Sequence, residues 1–289
     1  MVHVPRYRCA TRVLALAMLL PFAPPAGAGD RLEWTGGVSE IEGAAGGGLV
    51  PWALIAGLGT ADQVGGSAFA TGAETRDFRL RAAGVAVGAL NRVELSWARE
   101  RFDIGSVVPG VTLGQDVVGL KVRLLGDAIV DQDRWWPQLA AGALVKRTSD
   151  FGGVPQALGA GSGTGTDLYL AATKVYLGGA FGHNLLLDVT LRRSDANQYG
   201  LVGFGGGRPA VWRPEGSLAV WLADPLLFGV EYRAKRAGLA SPDERNAGDA
   251  FLAWEPDRHV AVVLAWADLG PVAFRPTERG AYLSVTLMR

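Results

Sequence analysis

Along most of the chain, apolar and polar side chains alternate with a period of two. Residues 227–235 show the pattern most cleanly: Phe228, Val230, Tyr232 and Ala234 fall on one side, and Glu231, Arg233 and Lys235 on the other. Successive strand side chains point to opposite faces, so such a segment separates an apolar medium from a wet one. Val118, Leu120, Val122 and Leu124 likewise oppose Lys121 and Arg123, and Leu185, Leu187, Val189 and Leu191 oppose Asp188, Thr190 and Arg192. Val93, Leu95 and Trp97 oppose Glu94 and Ser96. The pattern predicts fourteen strands: 31–38, 49–58, 64–72, 77–88, 92–102, 115–125, 135–147, 166–177, 184–194, 212–222, 226–235, 249–254, 259–267 and 280–288. Strands of roughly ten residues in an even number fit an all-β fold, a transmembrane antiparallel β-barrel. The alternative is twelve strands, with the first two segments lying inside as an N-terminal plug. Facing is ambiguous in two places: 77–88 changes parity around Ala83, as a bulge would, and Lys174 interrupts 166–177.

From the fourth segment onward the connections alternate in length. Those at 89–91, 126–134, 178–183, 224–225 and 255–258 are short or intermediate, whereas 103–114, 148–165, 195–211, 236–248 and 268–279 are long. Outer-membrane barrels combine short periplasmic turns with longer external loops, which assigns the short set to the periplasm. Trp135, Trp221 and Trp254 then lie near periplasmic strand ends, and Trp212 and Trp266 near external ends. Aromatic rings prefer the headgroup level, so these five are expected to form two lipid girdles.

The first residues belong to a different pattern. Arg6, Arg8 and Arg12 precede the apolar run 13–23, and Ala26-Gly27-Ala28 supplies small residues for cleavage. That is a secretory signal peptide over 1–28, leaving 29–289 as a single barrel domain. Of 28 basic and 28 acidic residues in the whole chain, removal of the three arginines leaves 25 against 28. A net negative charge excludes an ordinary nucleic-acid binder. The one cysteine, Cys9, is lost with the signal, so the mature chain has no disulfide or thiolate metal site. Export without thiols, in a chain with 41 glycines, points to the outer membrane of a Gram-negative bacterium.

Residues 279–288 run polar, glycine, two free positions, then alternating apolar, through Tyr282, Leu283, Val285 and Leu287. This resembles the closing-strand signal read by the barrel-insertion machinery, although the chain ends Met288-Arg289 where a terminal aromatic is usual. Larger tracts resemble the proteobacterial family catalogued as domain of unknown function 3034. The tracts are Thr35-Gly36-Gly37-Val38-Ser39, Glu42 through Ala53, Asp131-Gln132-Asp133, Ala171-Ala172-Thr173-Lys174, Ala196-Asn197-Gln198-Tyr199-Gly200, Phe204-Gly205-Gly206 and Glu231-Tyr232-Arg233-Ala234-Lys235. The resemblance implies an outer-membrane barrel and no settled activity.

Candidate chemistry is sparse. The glycine tracts 43–48, 159–165 and 203–207 lack the Lys-Ser/Thr of a nucleotide loop and read as packed or flexible loops. Glycine also allows close backbone approach, so the first tract has the option of folding back into the lumen. His183 and His259 are the only histidines after the leader, both in predicted periplasmic turns, away from any site at the external mouth. Asp131 with Asp133 reads as a solvated turn. No enzyme activity, catalytic residue, metal or cofactor is expected. The lumen carries the functional expectation: Arg79, Arg81, Glu94, Glu100, Lys121, Arg123, Asp188, Arg192, Glu231, Arg233 and Lys235 are the candidate pore-lining residues. Charged rings set ion preference. A basic constriction passing small anionic solutes is one reading, and a salt-bridged network filling a closed barrel is the other. A non-conducting barrel whose external loops bind partners is the rival function. Besides an unknown small solute, the expected partners are outer-membrane lipid and lipopolysaccharide, which Arg99 and Arg193 are placed to meet from the lipid-facing side near the outer rim.

Overall fold

The structure, a computed structural model, describes residues 34–207, 209–235, 245–272 and 275–289. The predicted signal and the first residues of the 31–38 segment lie outside the described residues. Twelve antiparallel strands close on themselves as one barrel. They are β1 (Val64–Thr75), β2 (Arg79–Ala89), β3 (Val93–Asp103), β4 (Thr112–Leu125), β5 (Gln138–Thr148), β6 (Thr164–Ala180), β7 (His183–Ser194), β8 (Val211–Ala223), β9 (Leu226–Arg233), β10 (Ala247–Asp257), β11 (Val260–Val272) and β12 (Arg275–Met288). Each pairs with its sequence neighbours, and β12 closes on β1 in a register running from Gly280↔Thr75 to Met288↔Ser67.

The two-faced sequence pattern becomes the two sides of this wall. Along β3, exposed and buried residues alternate at every position. Leu95, Trp97, Val118, Leu120, Leu191, Phe228, Leu252, Leu264 and Leu287 form part of an exposed apolar belt that continues around the barrel. No water-facing monomer sustains an apolar surface of that extent, and a lipid-facing wall requires one. The turns at the C-terminal end are tight except for the β4–β5 connection over 126–137. Leu90 and Asn91 between β2 and β3 take φ of 56° and 45°, the left-handed pair whose twist suits a two-residue hairpin. The connections at the other end include a long excursion between β5 and β6, holding the single-turn helix α1 (Val154–Ala157), and another between β7 and β8.

Twelve strands, not fourteen, make the barrel. Residues 49–58 are apolar on both faces, contain Pro51, and are buried almost throughout, so they have no wet face to offer a wall position. Every residue from Trp34 to Gly57 is buried. The β pairing in this stretch is a two-residue ladder, Val38↔Gly46 and Ser39↔Ala45, and an isolated antiparallel bridge, Gly46↔Pro51. Residues 268–279 are not a long loop either. β11 and β12 run on through them, with Asp268↔Arg279 and Gly270↔Glu278 paired across register shifts.

Both ambiguous segments resolve. β2 alternates without a bulge; its inward face is Ala82, Gly84, Ala86 and Gly88, which offered no polar contrast to read. A Cβ on Gly88 would lie 2.2 Å from the Ala56 carbonyl oxygen, so the inner chain sits directly against this strand. Lys174 shares parity with outward-facing Leu168 and Leu170 yet is buried. Its Nζ donates to the carbonyls of Asp131 and Arg134, because the turn between β4 and β5 folds over it.

Candidate functional site

Segment 34–58 runs through the interior of the barrel, held by the inward side chains of the wall. Near the C-terminal end, the Trp34 amide donates to Glu255 and its indole Nε1 to the Asp224 carbonyl. The Trp34 ring stands edge-on to Trp221 at 6.2 Å. Deeper in, Glu94 on β3 accepts from the amides of Ala45 and Ala56 at 3.1 and 2.8 Å. Lys121 on β4 donates to the carbonyls of Ala45 and Leu54 at 2.7 and 2.9 Å. These two side chains thereby clamp both limbs of the inner chain. Thr173 accepts from the Ala53 amide, Gln138 donates to the Ala53 carbonyl, and Glu231 accepts from the Leu49 amide. A buried irregular chain must satisfy its backbone somewhere, and here the wall supplies the partners. Gly47 and Gly48 are required by this contact: a Cβ on either would overlap the Glu231 carboxylate or the Tyr282 hydroxyl.

Above this lies an ion network. Lys146 on β5 meets Glu42 at 2.5 Å and Asp167 at 2.6 Å. Arg192 on β7 meets Glu40, Glu42, Asp167 and Glu215 at 2.9–3.5 Å. Arg233 on β9 meets Glu40, Glu42 and Glu215 at 2.8–3.4 Å. Three wall cations therefore face four carboxylates, two from the wall and two from the inner segment. Burial works to raise the Glu42 carboxyl, but Arg233, Lys146 and Arg192 overcome it and hold the group well below the usual glutamate range. Glu40 goes the other way: burial first, then the neighbouring charge of Glu42, pushes it well above that range despite Arg192 and Arg233.

The connection between β7 and β8 closes the other end. Its 3-10 turn (Gln198–Gly200) places the Tyr199 carbonyl within 3.2 Å of Lys146 Nζ and 3.3 Å of Gln115 Nε2. The Tyr199 ring lies 4.2 Å from the Arg233 guanidinium, and Thr148 donates to the Gly200 carbonyl. Burial moves the Tyr199 hydroxyl far above its ordinary range, so it stays neutral. A cavity of about 30 Å³ remains beside this loop, lined by Arg192, Tyr199, Arg213, Glu215, Arg233 and Lys235, with room for about two waters.

Of the residues expected to line a pore, Glu94, Glu100, Lys121, Arg123, Asp188, Arg192, Glu231, Arg233 and Lys235 share the inward parity. Arg123 sits at the rim, bonded to Asp127. The inner chain and the folded loop cover most of the rest. Arg79 and Arg81 do not belong with them: both are exposed on the outer wall, because Ala82, Gly84 and Ala86 take the inward positions of β2. Trp135, Trp212, Trp254 and Trp266 are exposed on the outside. Trp221 is not a girdle residue. It shares the parity of buried Ser217 and Ala219 and packs on Trp34. The reading of a basic constriction counted Arg192 and Arg233 without Glu40, Glu42, Asp167, Glu215 or Lys146. Lys146 is hidden in sequence by Arg147, which gives both faces of β5 a cation. The Glu40/Glu42 pair sits in a stretch that reads as glycine-rich loop. Asp131 acts as a turn cap, accepting from the Asp127 amide. His183 and His259 are exposed at strand ends.

Residues 35–286 match the sequence profile of the family described as Protein of unknown function (DUF3034), and the chain belongs to that family. Among solved structures, the NanC porin in its rhombohedral crystal form is similar with a TM-score of 0.51 at 11% identity, over 77% of this chain and 98% of that one. The KdgM porin gives a TM-score of 0.49 at 10% identity, over 76% and 98%. The likeness to the NanC porin is one of fold. A search of curated proteins by sequence finds no match.

Proposed function

We propose that this member of DUF3034 is an outer-membrane channel for small anionic solutes, closed in this state by its own N-terminal segment acting as a plug. The leader over 1–28 delivers it to the envelope of a Gram-negative bacterium, and the barrel conducts rather than catalyses. One observation carries the reading. The cations of the lumen are neutralised by carboxylates of a segment that is not part of the wall. With the segment in place, three cations meet four carboxylates; with Glu40 and Glu42 withdrawn, Lys146, Arg192 and Arg233 face only Asp167 and Glu215. The formal balance changes from −1 to +1. In the closed state Glu40 and Glu42 stand where the carboxylates of a solute would bind, and charged rings of this kind set ion preference. A permanently filled structural barrel has no use for such a charge reversal, since an apolar filling avoids the cost of desolvating seven ionisable groups.

Planar-bilayer recording on the full-length protein tests this. Unmodified protein is expected to open rarely, and Glu40→Gln/Glu42→Gln to open often with anion preference in a salt gradient. Silence of both proteins, each showing the heat-modifiable migration of a folded barrel, overturns the channel. Cation preference overturns the solute class.

A further inference from the structure

The outer wall of β2–β5 carries a second cluster of cations that nothing in the lumen explains. Arg79, Arg81, Arg99, Arg101 and Arg147 are exposed on the lipid-facing side, with Glu74, Asp103 and Asp116 among them. The lower edge of the cluster follows a single row of the ladder, Ala83↔Arg99↔Asp116↔Arg147. Towards the C-terminal end of the barrel that face is apolar: Val85 and Val87 on β2, Leu95 and Trp97 on β3, Val118 and Leu120 on β4, and Val145 on β5. The change from hydrocarbon-compatible to cationic surface is complete within one step of two residues.

Internal pairing accounts for only part of the charge. Arg79 meets Glu74 at 2.7 Å and Arg99 meets Asp116 at 3.4 Å. Arg81, Arg101 and Arg147 make no ion pair with any described residue. Arg81 and Arg101 are moreover direct cross-strand partners, which sets their Cβ atoms about 5 Å apart and makes the like charges repel. Beside Arg81 in the same row is exposed Gly72, whose missing side chain leaves open space on the outer wall. Two adjacent guanidiniums next to an open recess, above an apolar belt with Trp97 at its top, form a cradle for a doubly charged headgroup whose acyl chains lie against the belt. Arginine suits this role because its planar fork binds phosphate oxygens in a bidentate manner.

We infer that Arg81 and Arg101, supported by Arg147, bind the phosphates of the outer-leaflet glycolipid, lipid A, and so fix this face of the barrel to lipopolysaccharide. Bound phosphate turns a repulsive cross-strand pair into a bridged one. The inference is independent of whether the lumen conducts.

Native mass spectrometry of the full-length barrel in detergent, titrated with purified lipid A, tests it. Bis-phosphorylated lipid A is expected to be retained at least tenfold more than the dephosphorylated lipid or phosphatidylglycerol. Arg81→Gln/Arg101→Gln is expected to lose that preference, and Arg81→Lys/Arg101→Lys, which keeps the charge without the fork, to keep only part of it. Equal retention of the three lipids by the unmodified protein overturns the inference. So does undiminished retention by the glutamine variant in its heat-modifiable, folded form. If that variant fails to fold, the lipid comparison on the unmodified protein decides alone.

Discussion

The arginines on the two sides of this wall live under opposite conditions. Arg192 and Arg233 point inward, are buried, and have their carboxylate partners within the same chain. Arg81 and Arg101 point outward, are exposed, and face each other with no anion of their own. A buried charge must be paired where it sits or the fold fails. An exposed cation at a membrane surface can leave its counter-charge to the surroundings. The barrel therefore keeps its internal electrostatics self-sufficient and leaves its external electrostatics open to a partner.

The largest blow to the inner side of that comparison is Glu42→Ala. It strips one carboxylate from Lys146, Arg192 and Arg233 together, and breaking a buried ionic cluster costs about 3–5 kcal/mol. Segment 34–58 is expected to become protease-sensitive in a barrel that still migrates as folded; unchanged protection would show that the ionic contacts do not hold it.

A second, graded test uses pH. Because Glu40 is raised in the docked state, its contribution to docking is complete below the ordinary glutamate value of 4.5 and declines as pH rises towards its own raised value. Glu42 is depressed, so its contribution is present above that ordinary value and is lost as pH falls towards its depressed one. Docking is thus strongest near the ordinary glutamate range and loosens on the alkaline side. One linked proton sets a maximum slope of about tenfold in open probability per pH unit. Glu40→Gln is expected to abolish the alkaline limb in single-channel records, and a limb that persists would assign it to another group.

On the outer side the smallest effect is expected. Arg79→Gln removes one half of an exposed pair with Glu74, and such pairs contribute little. The thermal transition is expected to be unchanged, and a clear drop would mean that the outer cluster supports the fold itself.

Sequence pattern alone located the wall because a lipid-facing strand must alternate, and β3, β7 and β9 do so without interruption. It failed where alternation loses its contrast. β2 presents alanine and glycine inward, so its pattern points Arg79 and Arg81 to the lumen although both face outward. Trp221 turns inward because Trp34 gives it an aromatic partner more than 180 residues away, which no local pattern reports. Lys174 breaks the pattern of β6 because a turn from another hairpin covers it. The lumen was half legible: the wall charges show in the strand parity, but Glu40 and Glu42 lie in a segment with no period at all. Their role depends on the long-range partners Lys146, Arg192 and Arg233.

The C-terminal residue ties this inner chain to the closure of the barrel. The Arg289 carbonyl accepts from the amides of both Leu58 and Gly66, just as the inner segment gives way to β1. The seam between β12 and β1 joins the last strand of the wall to the first, the strand pairing with the greatest sequence separation and so the one expected to form late. The stretch that fills the lumen is thus knotted to the seam itself. The inner chain and the seam share one hydrogen-bond acceptor, so fraying of the seam and release of the arm draw on the same contact, as two leaves hang on one hinge pin.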